Sequence, residues 1–198
     1  MDKKIITISR EFGSGGRYIG EQVAERLGIR FYDREIIVRT AEESHLSEEF
    51  IEKRGEYAPK KSIFSYSFVG RDSQGGSIED YLYSVQRQII IDIAQREPCV
   101  IVGRCADFIL KERGDCMNVF IHGNMEDKVR RIMDIYEKSR EAAEKLIAET
   151  DRKRSLNYRY YTDRKWGYAS NYSLTLNSSE FGHDGCAQII AELFCGEK

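Results

Sequence analysis

The first 28 residues constrain the fold most strongly. Residues Lys4 to Ser9, KIITIS, form a short apolar, β-branched run, the pattern of a strand buried on both faces. Glycines then cluster at Gly13, Gly15 and Gly16. Ile19, Val23 and Leu27 follow at four-residue spacing on one face of a helix, and Gly28 is a helix stop. A glycine-rich turn between a buried strand and a helix leaves backbone N–H groups free to converge on an anion. The helix N-terminus adds partial positive charge. Glycine is required where a Cβ would keep the backbone from wrapping a phosphate. The same pattern also fits a tight turn that binds nothing, so other segments must decide.

The turn departs from the usual phosphate-loop pattern, G-x-x-x-x-G-K-[ST]. Aligned without gaps on SREFGSGGRYIG, Arg10 takes the first glycine position and Gly15 the second. Gly16 falls where lysine belongs, and Arg17 where serine or threonine belongs. A one-residue shift makes Arg17 the lysine substitute and puts Tyr18 at the magnesium-ligand position, where a phenol is a poor geometric replacement. An arginine at the mouth of the loop can still grip phosphate oxygens bidentately. At about 4 Å and an effective dielectric near 20, one such contact is on the order of 4 kcal/mol before desolvation. Phosphate binding is therefore easier to derive from this loop than turnover.

Further apolar runs at Cys99 to Val102, Asn118 to His122 and Tyr172 to Leu176 read as strands. Helical patterns separate them: Ile78 to Ile93 ended by Pro98, Met125 to Tyr136, a further helix holding Leu146 and Ile147, and a C-terminal helix with Asp184 as its expected cap. Short strands alternating with helices predict an α/β architecture around a parallel sheet. Residues Glu43 to Ser77 are polar, carry Pro59, Gly70, Gly75 and Gly76, and predict an insertion. Asp151 to Ser170 is basic and tyrosine-rich and predicts a lid.

With 198 residues, 41% hydrophobic and 32% charged, one globular domain with a sizeable core is expected. A formal net charge of -2 gives no reason to expect a nucleic-acid or membrane-surface partner, and no apolar run is long enough to span a bilayer. MDKKIITISRE does not read as a signal peptide, so a cytoplasmic location is expected. Five cysteines at irregular spacing, with no C-x-x-C pair, predict free thiols rather than a disulfide framework or zinc. The three histidines are scattered without metal-ligand spacing.

SREFGSGGRYIG, FYDREII, VIVGRCADFIL, DRKRS…YYTDRKWG and NYSLTLNSS, in this order, resemble the cytidylate kinase-like family, and the resemblance covers nearly the whole chain. It implies a P-loop kinase fold: a parallel β-sheet flanked by helices, a helical insertion of the type that binds a nucleoside monophosphate, and an arginine-bearing lid. On that reading a single domain has its core at about 1–35, 78–150 and 171–198, its insertion at about 36–77 and its lid at about 151–170. By matching position, Gly13, Ser14, Gly15, Gly16, Arg17 and Tyr18 would hold the donor phosphates. Asp33, Arg34, Gly103, Arg104 and Asp107 would contact the acceptor, and Arg17, Arg152 and Arg154 would act on the transferring group.

ATP and Mg²⁺ are the implied cofactors, with no magnesium ligand identified, and nucleotides are the implied partners. Phosphoryl transfer spreads charge over three oxygens, which positioned cations stabilise, and a closing lid brings such cations in as water leaves. Plainer roles fit several of these residues. Arg152 and Arg154 suit a solvated helix face paired with Glu144 and Glu149, Asp33 suits a helix cap, and Asp107 a partner for Arg104. The tyrosines from Tyr158 to Tyr172 suit packing of a lid on its core. The expected activity is ATP-dependent phosphorylation of a nucleoside monophosphate, CMP or dCMP first. A kinase for another small metabolite and a nucleotide-binding regulator with weak turnover are the alternatives.

Overall fold

The computed structural model describes residues 4–54 and 77–196. Five parallel strands form one sheet in the order β2-β3-β1-β4-β5. They are β1 (Ile5–Arg10), β2 (Arg30–Tyr32), β3 (Cys99–Val102), β4 (Cys116–His122) and β5 (Leu174–Asn177). β1 lies at the centre, pairing Ile5 with Cys99 on one side and with Cys116 on the other. This explains its unbroken apolar sequence: Ile5, Ile6 and Ile8 are fully buried because helices cover both sheet faces.

One face packs Ile6, Ile8, Val100, Val119 and Leu176 against α1 (Gly16–Leu27) and α8 (Ser178–Cys195). Gly20 permits the close approach of α1, since a Cβ there would stand 3.1 Å from Phe31 and 3.2 Å from Ile8. The other face packs Ile5, Cys99 and Ile101 against α2 (Arg34–Ser44), α4 (Ile78–Arg96) and the short α5 (Ala106–Ile109). Thr7, on that face, donates its hydroxyl hydrogen to Asn118 Oδ1 at 2.7 Å. α3 (Glu48–Arg54) closes over α2 and α4 through Ile51, Ile37 and Leu82. α6 (Met125–Tyr136) and α7 (Arg140–Thr162) pack on each other through Val129, Ile132, Ala143 and Ile147, with Phe12 reaching into the same cluster.

The expected α/β layering and the helix at Ile78 are observed, and Gly28 ends α1 with φ 64° and its N–H on Ala24 and Glu25 carbonyls. Two local expectations need correction. β2 lies inside the stretch read only as the start of an acceptor region, because three residues with partial burial show no period. The basic segment beginning at Asp151 continues α7 through Thr162. Asp184 pairs with Arg26, and α8 is capped at Asn177, whose side chain accepts from Ser179 N–H at 3.0 Å. Of the expected insertion, residues 55–76, with Pro59, Gly70, Gly75 and Gly76, lie outside the described residues.

All five cysteines are free thiols. Burial pushes the Cys99 thiol up to about 12, which leaves it protonated and unreactive. Among the described residues no helix is long and apolar enough to cross a membrane.

Candidate functional site

β1 ends at Arg10 and α1 begins at Gly16, so residues 11–15 form the turn at the carboxyl edge of the central strand. Gly13 and Gly15 both have left-handed backbone, φ 84° and 76°, which suits glycine and turns successive N–H groups toward one side. There is also no space for side chains. A Cβ on Gly15 would lie 2.3 Å from His183 Nε2, and one on Gly16 would lie 2.5 Å from Arg10 Cβ.

Gly15 caps α1 without a side-chain hydrogen bond, so the first turn presents backbone donors that no side chain has satisfied. The turn is pinned at its start instead. Glu11 N–H donates to Ile121 O at 2.9 Å, Phe12 N–H to Asp151 Oδ1 at 2.7 Å, and Ser14 Oγ to Glu11 O at 2.8 Å. A held loop with open donors at a helix N-terminus has the form of an anion cradle.

A cavity of about 590 Å³ opens over this cradle. Arginines Arg10, Arg17, Arg104, Arg131 and Arg154 line it, facing the carboxylates Glu11, Glu21, Asp33 and Glu52. Of the residues expected to grip phosphate, Gly13, Gly15, Gly16, Arg17 and Tyr18 line the cavity, and Ser14 is buried in the turn beneath. The Arg17 side chain is turned outward, with Nε 2.9 Å from Asp33 Oδ2 and 3.6 Å from Glu21 Oε1. Arg17 thus spends its charge on the cavity wall and does not arch over the loop. Tyr18 is half-exposed and lies edge-on to His183. Asp33 precedes α2 without capping it by a side-chain hydrogen bond; its carboxylate is occupied by Arg17.

The expected acceptor residues divide. Arg34 points to Glu48 on the outside, whereas Asp33 faces the cavity. Gly103, Arg104 and Cys105 are three consecutive residues with positive φ, 74°, 55° and 54°, at the end of β3. That turn brings the 8% exposed Arg104 into the cavity. Asp107 is buried, and its Oδ2 accepts from Tyr158 Oη at 2.6 Å. Burial pushes the Asp107 carboxyl up from its ordinary value, against the Tyr158 hydroxyl, which favours its charged form. Asp107 therefore holds α7 to the core and does not line the cavity. The two arginines expected in a lid also separate. Arg154 turns inward, donating Nη1–H to Arg10 O at 3.2 Å and covering the Phe12 ring, whereas Arg152 is exposed on another face of α7. Glu144, once a candidate partner for these arginines, pairs with Arg140.

Several residues at the site carry no signal in the motif pattern. Lys128 of α6 is 5% exposed and places Nζ 2.8 Å from Glu11 Oε2 and 3.6 Å from Asp151 Oδ2, under the turn. His183 follows a kink in α8 at Gly182 and lies against Gly15. Burial, then the neighbouring Arg131, holds its imidazole below the ordinary value, opposed by its hydrogen bond with the Ser14 backbone. A second cavity, of about 430 Å³, adjoins Gly13 and is lined by Asp127, Arg130, Arg131, Ser178, Ser179 and His183. Helical spacing on α6 and the polar run after β5 could have suggested these groups, but only the fold brings them together.

The sequence pattern of the cytidylate kinase-like family matches residues 5–180. A cytidylate kinase of Natronomonas pharaonis is 28% identical over 187 residues, covering 94% of this chain and 86% of that protein. Among solved structures, an uncharacterized protein from Eubacterium ventriosum superposes with a TM-score of 0.74 at 23% identity, covering 99% of this chain and 100% of that one. A shikimate kinase from Acinetobacter baumannii, in complex with shikimate, superposes with a TM-score of 0.57 at 16% identity, covering 99% of this chain and 95% of that one. These likenesses bear on the fold, which is that of P-loop kinases. By its match over most of its length, the chain belongs to the cytidylate kinase-like family, a family of kinase-like phosphotransferases.

Proposed function

We propose that the protein transfers the γ-phosphoryl group of ATP to a nucleoside monophosphate, with CMP or dCMP as the first acceptors. One observation carries this reading: a single cavity joins the glycine cradle to Asp33, Glu52 and Arg104 and to Arg131 and Arg154. A donor triphosphate on the cradle would direct its terminal group into that space. Its base and ribose would occupy the adjoining cavity beside Arg131 and His183. An acceptor phosphate held by Arg104 would then face the γ-phosphorus. The bond from that phosphorus to the β,γ-bridging oxygen breaks as a bond to an acceptor phosphate oxygen forms. The negative charge of the leaving ADP stays on the cradle. Arg154, fixed to the loop at Arg10 O, is placed to stabilise the charge that develops in between.

The residues present do not form a magnesium site of the usual loop type. Tyr18 stands at the ligand position in one alignment, and among the described residues no group of three or more His, Cys, Asp or Glu could hold a metal. No step is therefore assigned to the ion, and magnesium would arrive on the nucleotide's own phosphates.

A second reading keeps the reaction and changes the acceptor. Asp33 and Glu52 offer two carboxylates, which suit hydroxyl groups of a small metabolite as well as an exocyclic amine. Both readings meet one experiment. Purified protein with Mg-ATP is offered a panel of nucleoside monophosphates and hydroxylated metabolites, and ADP release and phosphorylated product are measured. Turnover confined to CMP and dCMP supports the first reading, and turnover confined to a metabolite supports the second. Folded protein that binds ATP and phosphorylates nothing would make it a nucleotide-binding regulator.

A further inference from the structure

The phosphate loop has glycine, Gly16, where lysine is usual in the ungapped alignment, and the residue that follows it, Arg17, is committed to Asp33. Yet a buried ammonium does stand beside the loop, and it comes from another element. Lys128 lies on α6 and its backbone forms the seat of Gly13: a Cβ on that glycine would lie 3.0 Å from Lys128 Cβ and 3.0 Å from Lys128 O. Its side chain, 6% exposed, then runs beneath the loop to two carboxylates. One belongs to the loop itself. Glu11 Oε2 accepts from Lys128 Nζ at 2.8 Å and from Gly123 N–H at 3.3 Å. The other comes from the lid helix. Asp151 Oδ2 lies 3.6 Å from Nζ, and its Oδ1 accepts the Phe12 N–H. Arg154, close by on α7, adds its charge to the same surroundings.

Two carboxylates this close to an anion cradle would repel a polyphosphate, the more so because burial weakens solvent screening. We propose that Lys128 is a positioning residue for the phosphate loop, supplying from α6, behind the loop, the positive charge that Gly16 leaves out of it. By offsetting, together with Arg154, the field of Glu11 and Asp151, it keeps the cradle attractive to the donor's phosphates while both carboxylates remain available to tie the loop to β4 and α7. This inference rests on the donor-site reading given above.

The alternative is a mechanical strut, and the two differ in sign. If charge is the cause, donor affinity follows the net charge of the cluster; if the strut is, every substitution in it weakens binding. The experiment is calorimetric titration with the Mg-bound, non-hydrolysable analogue adenylyl imidodiphosphate, and separately with CMP. Lys128→Met should weaken the analogue about tenfold or more, and CMP by no more than about threefold. Asp151→Asn, whose amide oxygen can still accept from Phe12 N–H, should bind the analogue at least as tightly as wild type. The double variant Lys128→Met/Asp151→Asn, with the wild-type net charge, should return to within about threefold of wild type.

Undiminished analogue binding by Lys128→Met overturns the proposal, as does a double variant no better than Lys128→Met alone. Should Lys128→Met lack a cooperative thermal transition, Asp151→Asn decides: weaker analogue binding by that folded variant overturns the proposal. Wild-type protein that binds no analogue overturns the donor-site reading, and this inference with it. Wild-type binding matched by Lys128→Met removes the role of Lys128 alone.

Discussion

At the residue scale, Gly15 has the least room for a side chain among the cradle's glycines, because His183 stands against it. Any side chain at Gly15 would meet the imidazole at 2.3 Å and would also have to hold φ at 76°. Gly15→Ala must therefore displace either the ring or the loop, and strain of this kind costs on the order of 1–3 kcal/mol. The expected outcome is a loss of at least about tenfold in affinity for an ATP analogue, the binding equivalent of the lower half of that range, checked by calorimetry on variant protein shown to be folded.

His183 carries a second consequence, through pH. Its folded-state imidazole titrates below the ordinary value of 6.5, so the unfolded chain binds the proton more readily. Stability from this group is complete above the unfolded value and is lost as pH falls from about 6.5 toward the lower folded value. His183→Asn removes that titration, and urea midpoints measured between pH 7.5 and 5 should decline less steeply in the variant than in wild type.

At the element scale, α7 decides how far the sequence could be read. The basic run from Arg152 to Arg154 was visible as a charge pattern, and its neighbours in sequence were not informative about direction. Once α7 is one helix from Arg140 to Thr162, residues two apart diverge by about 200°. Arg154 meets the loop while Arg152 meets solvent. Arg154→Ala should lower kcat/KM for phosphoryl transfer at least about tenfold, whereas Arg152→Ala should stay within about threefold, both measured at fixed ionic strength because the site is lined with charge.

The same logic explains what else was legible. β1, its glycine turn and α1 were plain because burial on both faces leaves an unbroken apolar run, and because positive φ selects glycine. β2, only Arg30 to Tyr32, was hidden because three residues display no period. Lys128 and His183 were hidden because each looks like an ordinary polar residue on an amphipathic helix, and their place at the site depends on a loop more than fifty residues away in the chain.

At the scale of the whole molecule, the order β2-β3-β1-β4-β5 gathers the working groups at one end of the sheet. The carboxyl ends of β1, β2 and β3 lead into the glycine turn, Asp33 and Arg104, while the helices that follow β4 and β5 carry Arg131 and His183. The donor and acceptor sites proposed above therefore share one wall of arginines, and α7 is attached to it through Asp151 and Arg154. Filling both sites at once brings like-charged phosphates together, which these cations help to offset. A single molecule that spans both sites avoids the entropic cost of bringing in a second ligand. Adenosine and cytidine joined through their 5′ oxygens by a pentaphosphate should accordingly bind well over tenfold more tightly than an ATP analogue or CMP alone, and Arg154→Ala should reduce that advantage more than it reduces the binding of either nucleotide. Thermal shift converts directly to this comparison, since a ligand at 100 times its dissociation constant stabilises by about 2.7 kcal/mol. An affinity for the joined molecule no greater than for the ATP analogue would mean that the proposed donor and acceptor positions do not form one reacting site, and would move the acceptor elsewhere on the protein.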